Sequence, residues 1–127
     1  MKLGYTIIYV EDVPKTVHFY EAAFGIKTRF IHESHEYAEM ETGSTTLAFV
    51  SYELAHQNNV EFKRNDIKNL PAGFEIAFVS DNVAVAYQTA INNGASSLQL
   101  PHQKPWGQTV AYVRDLNGVL VEIASPM

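Results

Sequence analysis

The sequence predicts an α+β protein built from two β-α-β-β-β modules, and three observations carry that prediction. A strand-like run ending at an acid that can cap a helix, with a glycine closing the helix, occurs twice. Asp12 to Gly25 and Asp81 to Gly94 share one spacing. Each half then ends on a hairpin turning at a glycine, Gly43 in the first and Gly118 in the second. A polar stretch, Tyr52 to Gly73, separates the two patterns. Repetition of order, spacing and hairpin together points to internal duplication rather than a chance recurrence of caps and stops.

Leu3 to Val10 is rich in Ile, Val and Tyr and reads as a strand that Glu11-Asp12 stops. Asp12 caps the following helix, with Pro14 in its first turn, where a missing N–H costs nothing. Val13, Val17, Tyr20 and Phe24 recur at helical spacing, and Gly25 ends the helix. Thr28 to His32, Tyr37 to Glu41 and Thr45 to Ser51 are the next strands. His32 to His35 makes a turn; its histidines are three apart, which does not match a His-Glu-x-x-His metal helix. The first module is thus 1–51, and 52–73 is a linker or lid with a short helix at Tyr52 to Gln57. The second module, 74–127, begins with a strand at Phe74 to Val79. A helix capped by Asp81 follows, with Val85, Ala86, Ala90 and Ile91 on its apolar stripe. A short strand at Ser97 to Leu100, a loop at Pro101 to Gly107 and a closing hairpin complete it. That hairpin pairs Gln108 to Arg114 with Val119 to Ala124 through Asn117-Gly118, a pair suited to a primed turn with φ > 0 at both residues.

The chain has 127 residues, 46% hydrophobic and 12% aromatic, which suits a single globular domain with its own core. A net charge of −5, with no basic cluster beyond Lys63-Arg64, argues against nucleic acid as a partner. The absence of cysteine excludes disulfides, thiolate metal sites and cysteine nucleophiles. No apolar run reaches membrane-span length and the first residues do not read as a signal peptide, so the expectation is a cytoplasmic protein with no membrane partner.

One residue breaks the last strand. Glu122 stands among Val119, Leu120, Val121 and Ile123, and a carboxylate there needs a cation, a metal, hydrogen-bond donors or a wet cavity. Strand alternation puts Val119, Val121 and Ile123 under a helix and Leu120, Glu122 and Ala124 on the opposite, open face. The same parity places Glu75, Ala77 and Val79 on that face, with Phe74, Ile76 and Phe78 in the core. In the first module it places Tyr5, Ile7 and Tyr9, with Thr46, Ala48 and Val50, on the open face. Trp106 and Tyr112 are candidate aromatic walls of a ligand site, although Trp106 also suits a core plug. Glu122 is a candidate pocket acid or base, or else a carboxylate satisfied by an internal partner such as Tyr5 or Arg114.

The segment LGYTIIYVEDVPKTVHFYEAAFG, with Asp12, Phe19-Tyr20 and Gly25, resembles the opening of the vicinal oxygen chelate superfamily. That group comprises glyoxalase I, bleomycin-resistance proteins and extradiol dioxygenases. RDLNGVLVEI is similar to the family's Asp-Pro-x-Gly-x-x-x-Glu ending, with Leu116 in place of the proline. The resemblance covers nearly the whole chain. It implies paired βαβββ modules curled into an open cup, a homodimer, and a ligand in the cup. It also implies that metal-using members hold their ion with four inward side chains, which fall here at Tyr5, Ala48, Glu75 and Glu122. Only Glu122 matches the usual ligand type, and Ala48 cannot coordinate, so no metal ligands are assigned and no cofactor is expected. The expected function is binding of a small molecule by Tyr5, Tyr9, Glu75, Trp106, Tyr112 and Glu122. The alternative is a lyase, isomerase or dioxygenase that uses a divalent metal and Glu122 as the catalytic residue. A dimer with a vestigial site is the third reading.

Overall fold

The computed structural model describes residues Met1–Met127. The chain divides into two compact units, Met1–Arg64 and Asn65–Met127. The first contains β1 (Tyr5–Val10), α1 (Val13–Phe24), β2 (Thr28–Ile31), β3 (Tyr37–Met40), β4 (Thr46–Ser51) and α2 (Tyr52–Gln57). The second contains β5 (Ile76–Val79), α3 (Val83–Asn92), β6 (Ser96–Gln103), β7 (Thr109–Arg114) and β8 (Leu120–Ala124). Each unit holds one four-stranded mixed sheet, ordered β1-β4-β3-β2 in the first and β5-β8-β7-β6 in the second. In both, the first strand runs parallel to the last and the remaining pairs are antiparallel. The duplication expected from the sequence is therefore present as two sheets of one topology.

The first unit builds its core from residues that the helical and strand periods select. Asp12 accepts from the Lys15 N–H and Gly25 closes α1 at φ 65°, a left-handed position that suits glycine. Val13, Val17, Phe19, Tyr20 and Ala23 are buried on the helix, and β4 is buried along its whole length. The Tyr20 ring meets that of Phe49 at 4.8 Å. On β1, Ile8 and Val10 are buried, whereas Tyr5 and Ile7 remain 56% and 47% exposed, as alternation requires of an open face.

The stretch after β4 is more ordered than its polarity suggests. Ser51 caps α2 by accepting from the Leu54 N–H. Phe62 then stacks against His56 at 4.8 Å and meets Tyr9 edge-on at 4.7 Å, holding 58–64 against the first unit. The next residues are tied to the second unit by Arg114. Its guanidinium donates to the carbonyls of Asp66, Ile67 and Asn69, and its Nε to that of Gly118.

The second unit departs from expectation in five places. Asn82, not Asp81, caps α3, because its side chain is the one that accepts from the Val85 N–H. The buried stripe of α3 is Val83, Tyr87 and Ala90, and Val85 is 60% exposed. Strand β5 starts at Ile76, which leaves Phe74 46% exposed rather than in the core. Strand β6 runs for 8 residues through Pro101, which an edge strand tolerates because one row of its N–H groups has no partner strand. Register shifts in its pairing with β7 absorb the irregularity. In the closing turn only Gly118 has positive φ, 88°, and Gly118 N–H donates to Asp115 O. This is the geometry of an ordinary turn followed by a glycine bulge, not a primed turn. Buried Asp115 sets it: its Oδ1 accepts from the Asn117 and Val119 N–H groups. No helix is long and apolar enough to cross a membrane.

Candidate functional site

In the second unit the helix-covered face of β8 takes Val119, Val121 and Ile123, each 2% exposed or less. Glu122 is left on the open face, half-buried, opposite Ala77 of β5 and Tyr112 of β7. The Tyr112 hydroxyl donates to Glu122 Oε2 at 3.2 Å. Glu75, just ahead of β5, hydrogen-bonds to Glu122, and this bond is the main reason its carboxyl is held above the ordinary value. Partial burial and the Glu122 charge push the same way, and Lys104 pulls back. Sharing one proton satisfies both acids, with the Glu75 O–H donating to the Glu122 carboxylate. The Tyr112 phenol is also raised, first by burial and then by the two nearby carboxylates.

Lys104 and Trp106 lie in the turn between β6 and β7, which is closed by Lys104 N–H to Gln108 O and Gly107 N–H to Lys104 O. The Lys104 ammonium stands 5.9 Å from the Trp106 ring centre and 5.8 Å from that of Tyr112. Trp106 is 63% exposed, so it is not a core plug. Its indole N–H donates to Gln108 Oε1, and Gln108 in turn donates to Ser125 O, which fixes the ring's edge. Four of the sequence-predicted site residues, Glu75, Trp106, Tyr112 and Glu122, thus gather around one face of the second sheet. Lys104 joins them there although nothing in its sequence surroundings marks it. Arg114 is not the internal partner of Glu122, because its donors are taken by backbone carbonyls.

Tyr5 and Tyr9 lie on the open face of the first sheet, Tyr5 exposed and Tyr9 half-buried beside Phe62. Farther across that face Arg29 donates to both oxygens of Glu41, to Glu39 Oε1 and to Thr46 Oγ1. The Tyr37 hydroxyl donates to Glu39 Oε2 at 2.7 Å. Burial, followed by that bond, pushes the Tyr37 phenol up to about 12. The Arg29 hydrogen bonds hold Glu41 below the ordinary carboxylate value. A separate cavity of about 570 Å³ opens in the first unit beside Glu11, Asp12, Glu36, Glu53, His35 and Arg64. None of the sequence-predicted site residues lines it. Its Asp12 is occupied as a helix cap, and Arg64 lies over the Tyr52 ring at 4.7 Å.

The donors do not fit a transition metal. No group of three His, Cys, Asp or Glu side chains is placed to hold an ion. Ala48, fully buried, offers no donor, and Glu122 is engaged by Tyr112 and Glu75. Imidazole, which nickel, zinc and iron favour, is missing from the Glu75–Glu122 cluster.

The fold is that of a glyoxalase-like protein, and the chain belongs to the Glyoxalase/Bleomycin resistance protein/Dioxygenase superfamily, whose profile matches residues 2–123. Bacillus subtilis YraH, a protein described as uncharacterized, is 28% identical over 124 residues, spanning 97% of each chain. A glyoxalase-related enzyme from Fulvimarina pelagi superposes with a TM-score of 0.85 at 19% identity, over 99% of this chain and 88% of that one. A glyoxalase/bleomycin resistance protein/dioxygenase family enzyme from Burkholderia phytofirmans gives 0.78 at 21% identity over the whole of both chains. At these identities the solved structures speak to the fold.

Proposed function

We propose that this protein binds a small organic molecule against the open face of its second sheet, without a transition metal, and acts by stoichiometric binding. The carrying observation is the second-sheet cluster, in which two carboxylates, a phenol and an exposed indole converge on a face that no helix covers. Such a mixture offers stacking area and a few polar groups that fix orientation, the usual make-up of a small-molecule site. Tyr5 and Tyr9 supply aromatic surface of the same kind on the first sheet. Exposed Leu98, Leu100 and Val79 on the second sheet are apolar surface of the sort a homodimer covers, and a homodimer is part of the reading. Trp106 is the sole tryptophan, so its fluorescence reports this site directly. A ligand screen read by that signal is expected to give saturable quenching that Tyr112→Ala weakens about tenfold. Absence of saturable quenching by any ligand class would sink the reading.

The Glu75–Glu122 proton pair favours one second reading, proton transfer with Glu122 as acid or base in a lyase, isomerase or dioxygenase. Near-stoichiometric divalent metal in untagged protein by elemental mass spectrometry, lost on Glu122→Ala, would move the assignment to that class.

A further inference from the structure

The second-sheet site holds a charged group of its own. We propose that the ligand of this site is an organic ammonium ion and that Lys104 is its internal stand-in, resting where the ligand's cation goes and leaving when the ligand arrives. The inference rests on the binding function proposed above.

The chemistry of the position supports a cation. Ring faces attract positive charge, and Nζ lies over two of them, Trp106 and Tyr112. Glu122, bonded to the Tyr112 hydroxyl, and Glu75, bonded to Glu122 and within electrostatic reach of Lys104, supply negative charge beside the Tyr112 ring. The geometry also supports displacement. Both distances, 5.9 and 5.8 Å, are at the outer limit of cation–π attraction, so the lysine is held loosely. The turn that carries it is closed by backbone hydrogen bonds on both sides of Lys104, so the side chain is free to swing out without unravelling the loop. A compact ammonium can approach the rings more closely than a side chain tethered to this turn. A neutral ligand gains no charge–charge attraction from the two acids and does not compete with the lysine for charge.

The test compares choline with its neutral isostere 3,3-dimethylbutan-1-ol, titrated against Trp106 fluorescence in wild type, Lys104→Ala and Lys104→Arg. Lys104→Ala is expected to tighten choline binding roughly three- to tenfold. Lys104→Arg, which keeps a cation at the rings, gives no such gain, and the isostere responds to neither change. Glu75→Gln/Glu122→Gln abolishes the gain. Unchanged or weaker choline binding in Lys104→Ala overturns the proposal. So does an isostere that binds as well as choline. A neutral aromatic probe, 2-naphthol, separates this failure from the broader one. If 2-naphthol still quenches Trp106 saturably and Tyr112→Ala weakens it, only the cation inference falls. If neither probe binds any variant, the binding function falls with it.

Discussion

The two sheets carry polar clusters at matching register positions, yet one is closed and the other open. Ala48 pairs with Ile7 and Glu39 in the first sheet as Glu122 pairs with Ala77 and Tyr112 in the second. In each sheet a cation comes from the strand beyond or the turn that follows it, Arg29 from β2 and Lys104 after β6. The arginine reaches the acids of its sheet, with hydrogen bonds to Glu39 and Glu41. The lysine instead rests on aromatic rings, and its sheet's two acids are hydrogen-bonded to each other, which holds Glu75 above its ordinary value. A planar fork of donors closes a carboxylate network, whereas a single ammonium on a flexible stem leaves one available. The closed cluster stabilises its sheet. The open one retains unspent charge, which is what a ligand site needs.

The hairpin glycines break the symmetry most sharply. Gly43 and Gly118 have nearly the same φ, 89° and 88°. A Cβ at Gly43 meets nothing within 4 Å, so Gly43→Ala is expected to cost only backbone strain, about 1–2 kcal/mol. A Cβ at Gly118 would sit 2.9 Å from the Ile67 backbone and 2.6 Å from the Arg114 guanidinium. Neither neighbour yields readily, because Arg114 is fastened to three carbonyls of the 66–69 segment. Gly118→Ala should therefore cost about 2–5 kcal/mol. Urea unfolding of both variants measures the difference, and equal losses would show that the Arg114 clamp gives way freely.

Acid separates the two clusters by sign. Glu41 titrates below its ordinary 4.5, so its contribution is present above pH 4.5 and is lost as pH falls through the lowered value. Glu75 titrates above 4.5, so its contribution is full below pH 4.5 and is lost as pH rises through the raised value. On acidification from neutrality the second sheet gains first, and the first sheet loses later. The summed contribution of the two groups peaks near pH 4.5. Arg29→Met removes the later loss and leaves the earlier gain, which thermal melts across this range can follow. A variant that still loses stability on the acid side to the wild-type extent would assign that loss to other carboxylates.

Most of the fold was legible because its signals are local. Asp12, Gly25 and the period of Val13, Val17 and Tyr20 defined α1 within a few residues of its own ends. Glu122 announced itself as a charge in an apolar strand. What stayed hidden depends on distance along the chain. Arg114 reads as a strand-end cation until its partners appear 45 to 48 residues earlier. Phe62 reads as a lone aromatic in a polar loop until it meets Tyr9. Strand β6 reads as short because Pro101 normally ends a strand, and only its edge position, a property of the whole sheet, permits it. The site was half legible for the same reason. Acids and aromatics could be assigned to a face by alternation, but the seat of Lys104 on Trp106 and Tyr112 depends on how a turn folds back over a neighbouring strand.

Glu75→Gln gives the smallest effect and sharpens the comparison most finely. Once Glu75 ionises, the wild-type pair loses the proton that its hydrogen bond needs. A glutamine amide donates to Glu122 at every pH, without needing a proton from solvent. Glu75 is exposed, so screening limits the gain to about 0.5 kcal/mol or less at neutral pH. Below pH 4.5 the wild-type carboxyl is itself protonated, and the gain should vanish. The Tyr112 phenol gives a second readout: loss of the Glu75 charge removes one of the causes that raise it, so its ultraviolet titration should move down. A variant that stabilises equally at both pH values would mean that the two acids do not share a proton. The open cluster would then be no more than a surface patch, and the contrast with the Arg29 network would lose its meaning.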